Sequence, residues 1–476
     1  MSGSTIFWHD YETWGANPQK DHPAQFAGIR TDLELNPIGK PVKLYCQIPS
    51  DYLPHPQACL ITGITPQLTL RDGLPESQFM ARIHQEFSQP NTCVAGYNSI
   101  RFDDEVTRYS LYRNFYDPYA REWQQGNSRW DIIDMVRACY ALRPDGINWP
   151  EKEDGTPSFR LEDLTQANGI SHESAHDAMS DVYATIALAK LVKEKQPKLY
   201  NYLFDLRNKK KVQAHLDCYR MTPVVHISSK LPAHQGCCTW VAPVCQHPVN
   251  RNAVVVLNLA LDPTPLAELN SEQLREKLYQ SSSMLEEGEQ RLPIKLIHLN
   301  KCPVVAPAKT LSPENAERLG IDRDACLQNL ERIRAIPNLV QKLQELFDTS
   351  SPQDAQDPDY ALYSGGFLSD ADRARCDQVR QANADQLAAL DWQFDDPRLK
   401  TLLFRYRARN FPASLSADEV QKWQEHRRTK LLDNAAQASI HMEEYLQELE
   451  KLGQQYQQDS NKLAILRALY QYAQSI

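Results

Sequence analysis

The 476-residue chain has no apolar run long enough to span a bilayer. It also has no basic-then-apolar leader at its start, so a cytoplasmic protein is expected. It has no C-x-x-C pair. Its 11 cysteines are scattered and odd in number, which argues against a disulfide framework and for reduced thiols. One group, His234, Cys237, Cys238, Cys245 and His247, gathers soft ligands. Adjacent cysteines do not give the paired spacing of structural zinc, so partly buried thiols are expected there as well. An excess of positive charge is missing too: 52 Lys and Arg against 61 Asp and Glu leave a net charge of −9. That excludes a protein coated in basic residues, but not one with a local basic face. Between Arg207 and Lys230, the residues Arg207, Lys209, Lys210, Lys211, Arg220 and Lys230 meet only Asp217. Repeats and low-complexity tracts are absent, and 42% hydrophobic with 24% charged residues is the balance of a globular chain of two or three domains.

Strand and helix signals alternate up to about residue 196. Runs near Ile6–Thr13, Gln25–Thr31 and Val42–Ile48, separated by Pro, Asn and Gly turns, predict an antiparallel meander. An amphipathic helix is expected over Glu76–Phe87, then a buried strand over Thr92–Tyr97. Helices are expected at Phe102–Phe115, Ile132–Leu142, Leu161–Asn168 and Asp177–Lys195. The pattern is that of an α/β mixed sheet with helices packed on it. Residues 197–350 are richer in strand signals, at Val224–Ser228, Thr239–Val244, Val254–Leu259 and Ile294–Leu299, and suggest a small barrel with helical insertions. Asp348–Asp359 is polar and acidic and reads as a linker. The remainder is helical in pattern, as in a helical bundle.

Chemistry is concentrated in acids. Asp10 and Glu12 are two residues apart on the first strand, so they project from the same face. Carboxylates held that close raise each other's pKa unless a cation lies between them, and oxygen-only ligands suit Mg²⁺ or Mn²⁺. A solvated edge-strand pair is the alternative. Asp103 follows the strand that ends at Tyr97 and opens a helix, where it could either cap the helix or ligate a metal. Asp181 sits near the buried stripe of Val182, Ile186, Ala189 and Val192. His176 is about 140° from Asp181 on an ideal helix. It therefore belongs to the preceding loop.

Asp10-x-Glu12, then Asn98…Phe102-Asp103, then His176…Asp181 resembles the DEDDh branch of the DEDD 3′→5′ exonuclease superfamily. Asn114–Tyr119, Ala138–Pro144, Pro157–Leu161 and Asn300–Pro303 extend the likeness to the bacterial exonuclease I family along nearly the whole chain. The resemblance implies a ribonuclease-H-like exonuclease domain (1–196), an SH3-like β-barrel domain (197–350) and a C-terminal all-helical domain (351–476). It implies a processive exonuclease that degrades single-stranded DNA to 5′-mononucleotides in repair and recombination. An RNA exonuclease of the same catalytic class is the alternative; a scaffold without catalysis would have lost one of the five residues.

Two-metal hydrolysis is the implied mechanism, with two Mg²⁺ ions that Mn²⁺ can replace. Asp10, Glu12 and Asp181 would hold one ion, Asp10 would bridge, and Asp103 would reach the second. His176 would take the proton of the attacking water. The 3′-terminal nucleotide would lie beside Glu12 and Arg160. Arg108, Tyr119, Trp123 and Arg137, with Lys209, Asn252 and Asn300 further on, would line the strand's path. A monomer is expected. The implied protein partner is the C-terminal tail of single-strand-binding protein, with Arg143 and Tyr202 as candidate contacts, and no membrane partner is expected.

Overall fold

Alternation along β1 (Thr5–Thr13) organises the first part of the chain. Phe7, His9 and Tyr11 take one face; Trp8, Asp10 and Glu12 take the other. In the computed structural model, which describes residues 3–172, 177–281, 290–348, 356–389 and 393–476, the first face enters a core. Phe7 and Tyr11 are buried there with Phe26, Phe79, Ile83, Phe87 and Val94. β1 pairs antiparallel with β2 (Pro23–Thr31), and β2 antiparallel with β3 (Pro37–Tyr45). Helices α1 (Pro56–Thr62), α2 (Pro66–Asp72) and α3 (Glu76–Phe87) lead to β4 (Thr92–Gly96), which lies parallel to β1. The order β3-β2-β1-β4 is the expected meander, crossover and returning strand. Then come α4 (Asp103–Arg113), β5 (Ser128–Asp131), α5 (Ile133–Leu142), α6 (Leu161–Ala167) and α7 (Ala178–Lys195).

One strand differs in position. β3 begins at Pro37 rather than Val42 and ends at Tyr45. It pairs on one side with β2, and an edge strand tolerates Pro37 and Pro41 because only one row of its donors is needed.

The chain divides into two compact units, one of Met1–Ser128, His172–Tyr183 and Gln353–Ile476, the other of Arg129–Ser171 and Ala184–Pro352. In the first unit the described residues after 356 are helical, as expected, and their apolar residues cluster with one another and with residues of the first 128. Helices Met442–Gln455 and Ser460–Ser475 place Tyr445, Leu449, Leu469 and Tyr472 against Trp14, Ile48, Tyr52 and Leu53. Leu399, Leu402 and Tyr406 likewise pack on Tyr109 and Tyr112 of α4. The apolar surface beside α1 and α4 is thus covered by the end of the chain, because short helices cannot bury it alone.

Charge joins the same two regions. Asp51 accepts from Arg409 at 3.0 and 2.7 Å and from Lys430 at 3.1 Å. Arg409 also donates to Asp359 at 3.1 and 2.6 Å, and Arg405 lies 3.0 Å from it. Both carboxylates are fully buried. Of the expected linker, residues 349–355 lie outside the described residues, and Asp359 is a buried structural ion rather than solvated linker.

The second unit carries β6 (Val224–Ile227), β7 (Cys238–Gln246), β8 (Ala253–Asn258), β9 (Ile294–His298) and β10 (Val304–Pro307) in the antiparallel order β10-β6-β7-β8-β9. Every residue of β8 is buried. Helix Leu339–Phe347 packs on β7 and on helix Ser271–Tyr279. No helix among the described residues is long and apolar enough to cross a membrane.

Candidate active site

Asp10 and Glu12 leave the polar face of β1, and Asp181 comes from the first turn of α7. Ligand oxygens of these three residues lie within 4.8 Å of one another. No other group of three His, Cys, Asp or Glu among the described residues is gathered in this way. Asp103 is the first residue of α4, and its Oδ1 accepts the backbone N–H of Tyr11 at 3.1 Å. That bond fixes Asp103 beside β1, between the two acids. Tyr11 itself is core, with its hydroxyl accepting from Thr107 at 3.1 Å.

The electrostatics follow from crowding. Burial raises Asp10 well above the usual carboxylate range, and Asp103, Glu12 and Asp181 raise it further. Burial first, then Asp181, Asp103 and Asp177, push Glu12 up to about 8. No cationic side chain is among the causes of either shift. A set of buried carboxylates that oppose one another's ionisation is matched to a cation supplied from outside.

His176 lies outside the described residues, as do 173–175. Beside that segment the structure shows two contacts that the sequence reading missed. Lys43 on β3 donates to Asp177 Oδ2 at 2.5 Å. Burial works against the Asp177 charge, but Lys43 and the amides of Ser180 and Met179 hold its carboxyl below the ordinary range. His172 Nε2 lies 2.5 Å from Asp181 Oδ1. The only signal for it was a second histidine on the loop before α7.

The expected DNA contacts fall into three groups. Arg108 is a brace: Nε and Nη2 donate to Glu122 at 2.7 and 2.8 Å, Nη1 to Glu105 and to the Tyr363 hydroxyl. It is only 6% exposed, and these partners hold its guanidinium in an ion-pair network. Beside it, Tyr119 packs near Tyr363 and Phe367, and Trp123 stands 66% exposed. In the second unit Arg160 is exposed at the N-cap of α6. Arg137 pairs with Asp134 at 2.6 Å and lies over the Phe159 ring. Lys209 donates to Asn252 at 3.4 Å, and the Asn300 carbonyl accepts from Arg129 at 3.0 Å.

The cysteine group behaves as buried thiols. Cys237, Cys238 and Cys245 are buried, and burial pushes Cys238 up to about 12 and Cys245 up to about 11.

Comparison with known proteins follows this layout. The Exonuclease family model matches residues 7–189, the Exonuclease I SH3-like domain model 207–349, and the Exonuclease I C-terminal domain model 356–476. Exodeoxyribonuclease I of Escherichia coli is 54% identical over 473 residues, covering 99% of this chain and 98% of that protein. The crystal structure of E. coli exonuclease I in complex with a dA16 oligonucleotide matches with a TM-score of 0.95 at 53% identity, over 99% of each chain. An SSB/exonuclease I structure with the inhibitor CFAM matches at 0.92 and 53% identity, over 100% of each. An acidic site on the first strand, followed by those three matches in chain order, places the protein: it belongs to the exonuclease I family.

Proposed function

We propose that this chain shortens single-stranded DNA from its 3′ end, processively, releasing 5′-mononucleotides during DNA repair and recombination. The observation that carries the reading is the Asp10, Glu12 and Asp181 cluster, in a chain 54% identical to an exodeoxyribonuclease I over 99% of its length. The family is dependent on divalent metal, and the donor set here is all oxygen, for which Mg²⁺ is the fitting ion. Two such ions would supply stabilisation of the attacking and leaving oxygens of an in-line displacement.

The chain's own residues do the rest. Asp10, Glu12, Asp181 and Asp103 would hold the two ions. The Tyr11 amide keeps Asp103 beside β1. His176, five residues before Asp181, takes the proton from the attacking water; its role rests on its place in the sequence. Glu12 borders the 3′-terminal nucleotide. Arg108, Arg160 and Arg137 serve the phosphates, and Tyr119 and Trp123 offer stacking surfaces, Trp123 by its exposure above all. Lys209, Asn252 and Asn300 extend the path on the second unit.

We assign three domains, 1–196, 197–350 and 351–476, and a monomer. The eleven cysteines stand as thiols, which fits the reducing cytoplasm. The tail of single-strand-binding protein is assigned to the second unit, near exposed Arg143, which donates to Thr310 O at 3.2 Å, and Tyr202, whose hydroxyl donates to Val305 O at 2.7 Å.

The deciding experiment is a time course on 3′- and 5′-labelled single and double strands, and on the matched RNA, with Mg²⁺, Mn²⁺ or EDTA. Loss of the 3′ label from single-stranded DNA, dependent on metal, is expected. Degradation from the 5′ end, preference for RNA, or turnover in EDTA would overturn the reading.

A further inference from the structure

We infer that His172 is a positioning residue for the metal site: its imidazole N–H holds the carboxylate of Asp181 in the orientation that ligates a cation. The inference rests on the metal-dependent reading above. Nε2 of His172 lies 2.5 Å from Oδ1 of Asp181. An ionised carboxylate only accepts, so the imidazole nitrogen is the donor. Side-chain exposures of 6% and 16% put the contact in a region where water competes poorly for either group.

The contact answers a mechanical problem. Asp181 is one of the groups that raise both Asp10 and Glu12, so in return both of them repel it. A carboxylate on a first helical turn can rotate about χ1 to relieve such repulsion. A donor at Oδ1 opposes that rotation. A carboxylate accepts through several lone pairs, so accepting from His172 is compatible with ligating a cation. Hydrogen bonds to ligating carboxylates set their orientation, and removing them typically weakens metal affinity about 10–100-fold. His172 is four residues before His176 and nine before Asp181, so it is a different group from the proposed base.

The test measures Mn²⁺ binding directly, by electron paramagnetic resonance of the unbound ion, on the full chain without DNA. His172→Leu keeps apolar bulk but removes the donor. His172→Gln places an amide N–H near the position of Nε2. Circular dichroism and melting temperature establish that each variant folds. We expect Mn²⁺ affinity to fall about 10–100-fold in H172L and to recover to within about threefold of wild type in H172Q. In turnover, H172L should raise the metal concentration for half-maximal rate while leaving the rate at saturating metal near wild type. Equal affinity in H172L, tighter binding in H172L, or an H172Q as weak as H172L would each overturn the inference. If wild type itself binds no Mn²⁺, the metal-dependent reading of the site fails, and that result is distinct from the other three.

Discussion

Asp10 and Asp51 are both buried aspartates of the first unit, and their neighbours move them in opposite directions. Around Asp10 the nearby charges are Asp103, Glu12 and Asp181, so burial and repulsion add and the carboxyl is raised. Around Asp51, burial is opposed by Arg409, Lys430 and a bond from His426, and the carboxyl is held well below its usual range. Asp359 is lowered in the same way, against burial, by Arg409, Arg405 and Lys430. Each cluster gathers acids in a poorly solvated place. Where the chain brings its own cations, the cluster is part of the scaffold. Where no cation is among the causes of the shift, as at Asp10 and Glu12, the cluster is matched to a charge that arrives from solution.

The sharpest break of this contrast is Asp10→Asn. It should lower turnover at saturating Mg²⁺ by about 10³-fold or more, since metal stabilisation of the transition state amounts to several kcal/mol. At a pH alkaline enough to ionise Asp10, the same change should raise the melting temperature of the metal-free protein by a few °C, because it removes a repelled charge. Differential scanning fluorimetry in EDTA checks the second effect. The opposite cluster should respond in the opposite sense. Arg409→Met leaves Asp51 and Asp359 under-compensated and should cost about 3–5 kcal/mol, read as a large fall in melting temperature. Activity per folded molecule at low temperature should stay near wild type.

Acidity separates the two clusters without mutation. Glu12 is raised from an ordinary 4.5 to about 8. Its proton-bound form therefore stabilises the metal-free fold fully below 4.5, and that contribution is lost as pH rises through about 8. Asp51 and Asp359 are lowered from 3.8, so their contribution is complete above that value and lost as pH falls below it. Melting temperature against pH in EDTA should show both limbs, and Mg²⁺ should flatten only the alkaline one. Binding of Mg²⁺ at pH 7 should also release protons, about one from Glu12, measurable by calorimetry in buffers of different ionisation heat. The smallest effect is expected in the second unit. Replacing Lys209, Lys210 and Lys211 with Gln should reduce the salt slope of DNA binding by up to about 2, given about −0.7 per single-strand phosphate contact.

The site was legible in the sequence where local spacing carries geometry. Asp10 and Glu12 share a strand face by period, and Asp103 and Asp181 are marked by the helices they open. Helix α3 could be read to its ends because twelve residues give three turns of apolar period. Helices α1 and α2 went unread: each has seven residues and opens on a proline, too short for a period to emerge. Strand β10 has four residues. Asp51 gave no signal, since its partners Arg409 and Lys430 lie more than 350 positions away. The pairing of Arg108 with Glu122 gave no signal either, because an arginine's partner depends on how the fold brings the two together. His172 was missed for the same reason: its meaning depends on which acid it meets.

The late arrival of the last helices has a consequence for the protein's birth on the ribosome. Trp14, Tyr52 and Leu53 are made early, but the residues that cover them, Tyr445, Leu469 and Tyr472, are made last. At about 5–20 residues per second, the roughly 400 intervening residues take about 20–80 s to synthesise. For most of that interval the nascent chain carries an uncovered greasy flank and an Asp51 whose cationic partners have not yet been made. The catalytic half is thereby completed only once those helices have been made, and a chain that lacks them is marked for chaperones and proteases rather than left as a loose nuclease.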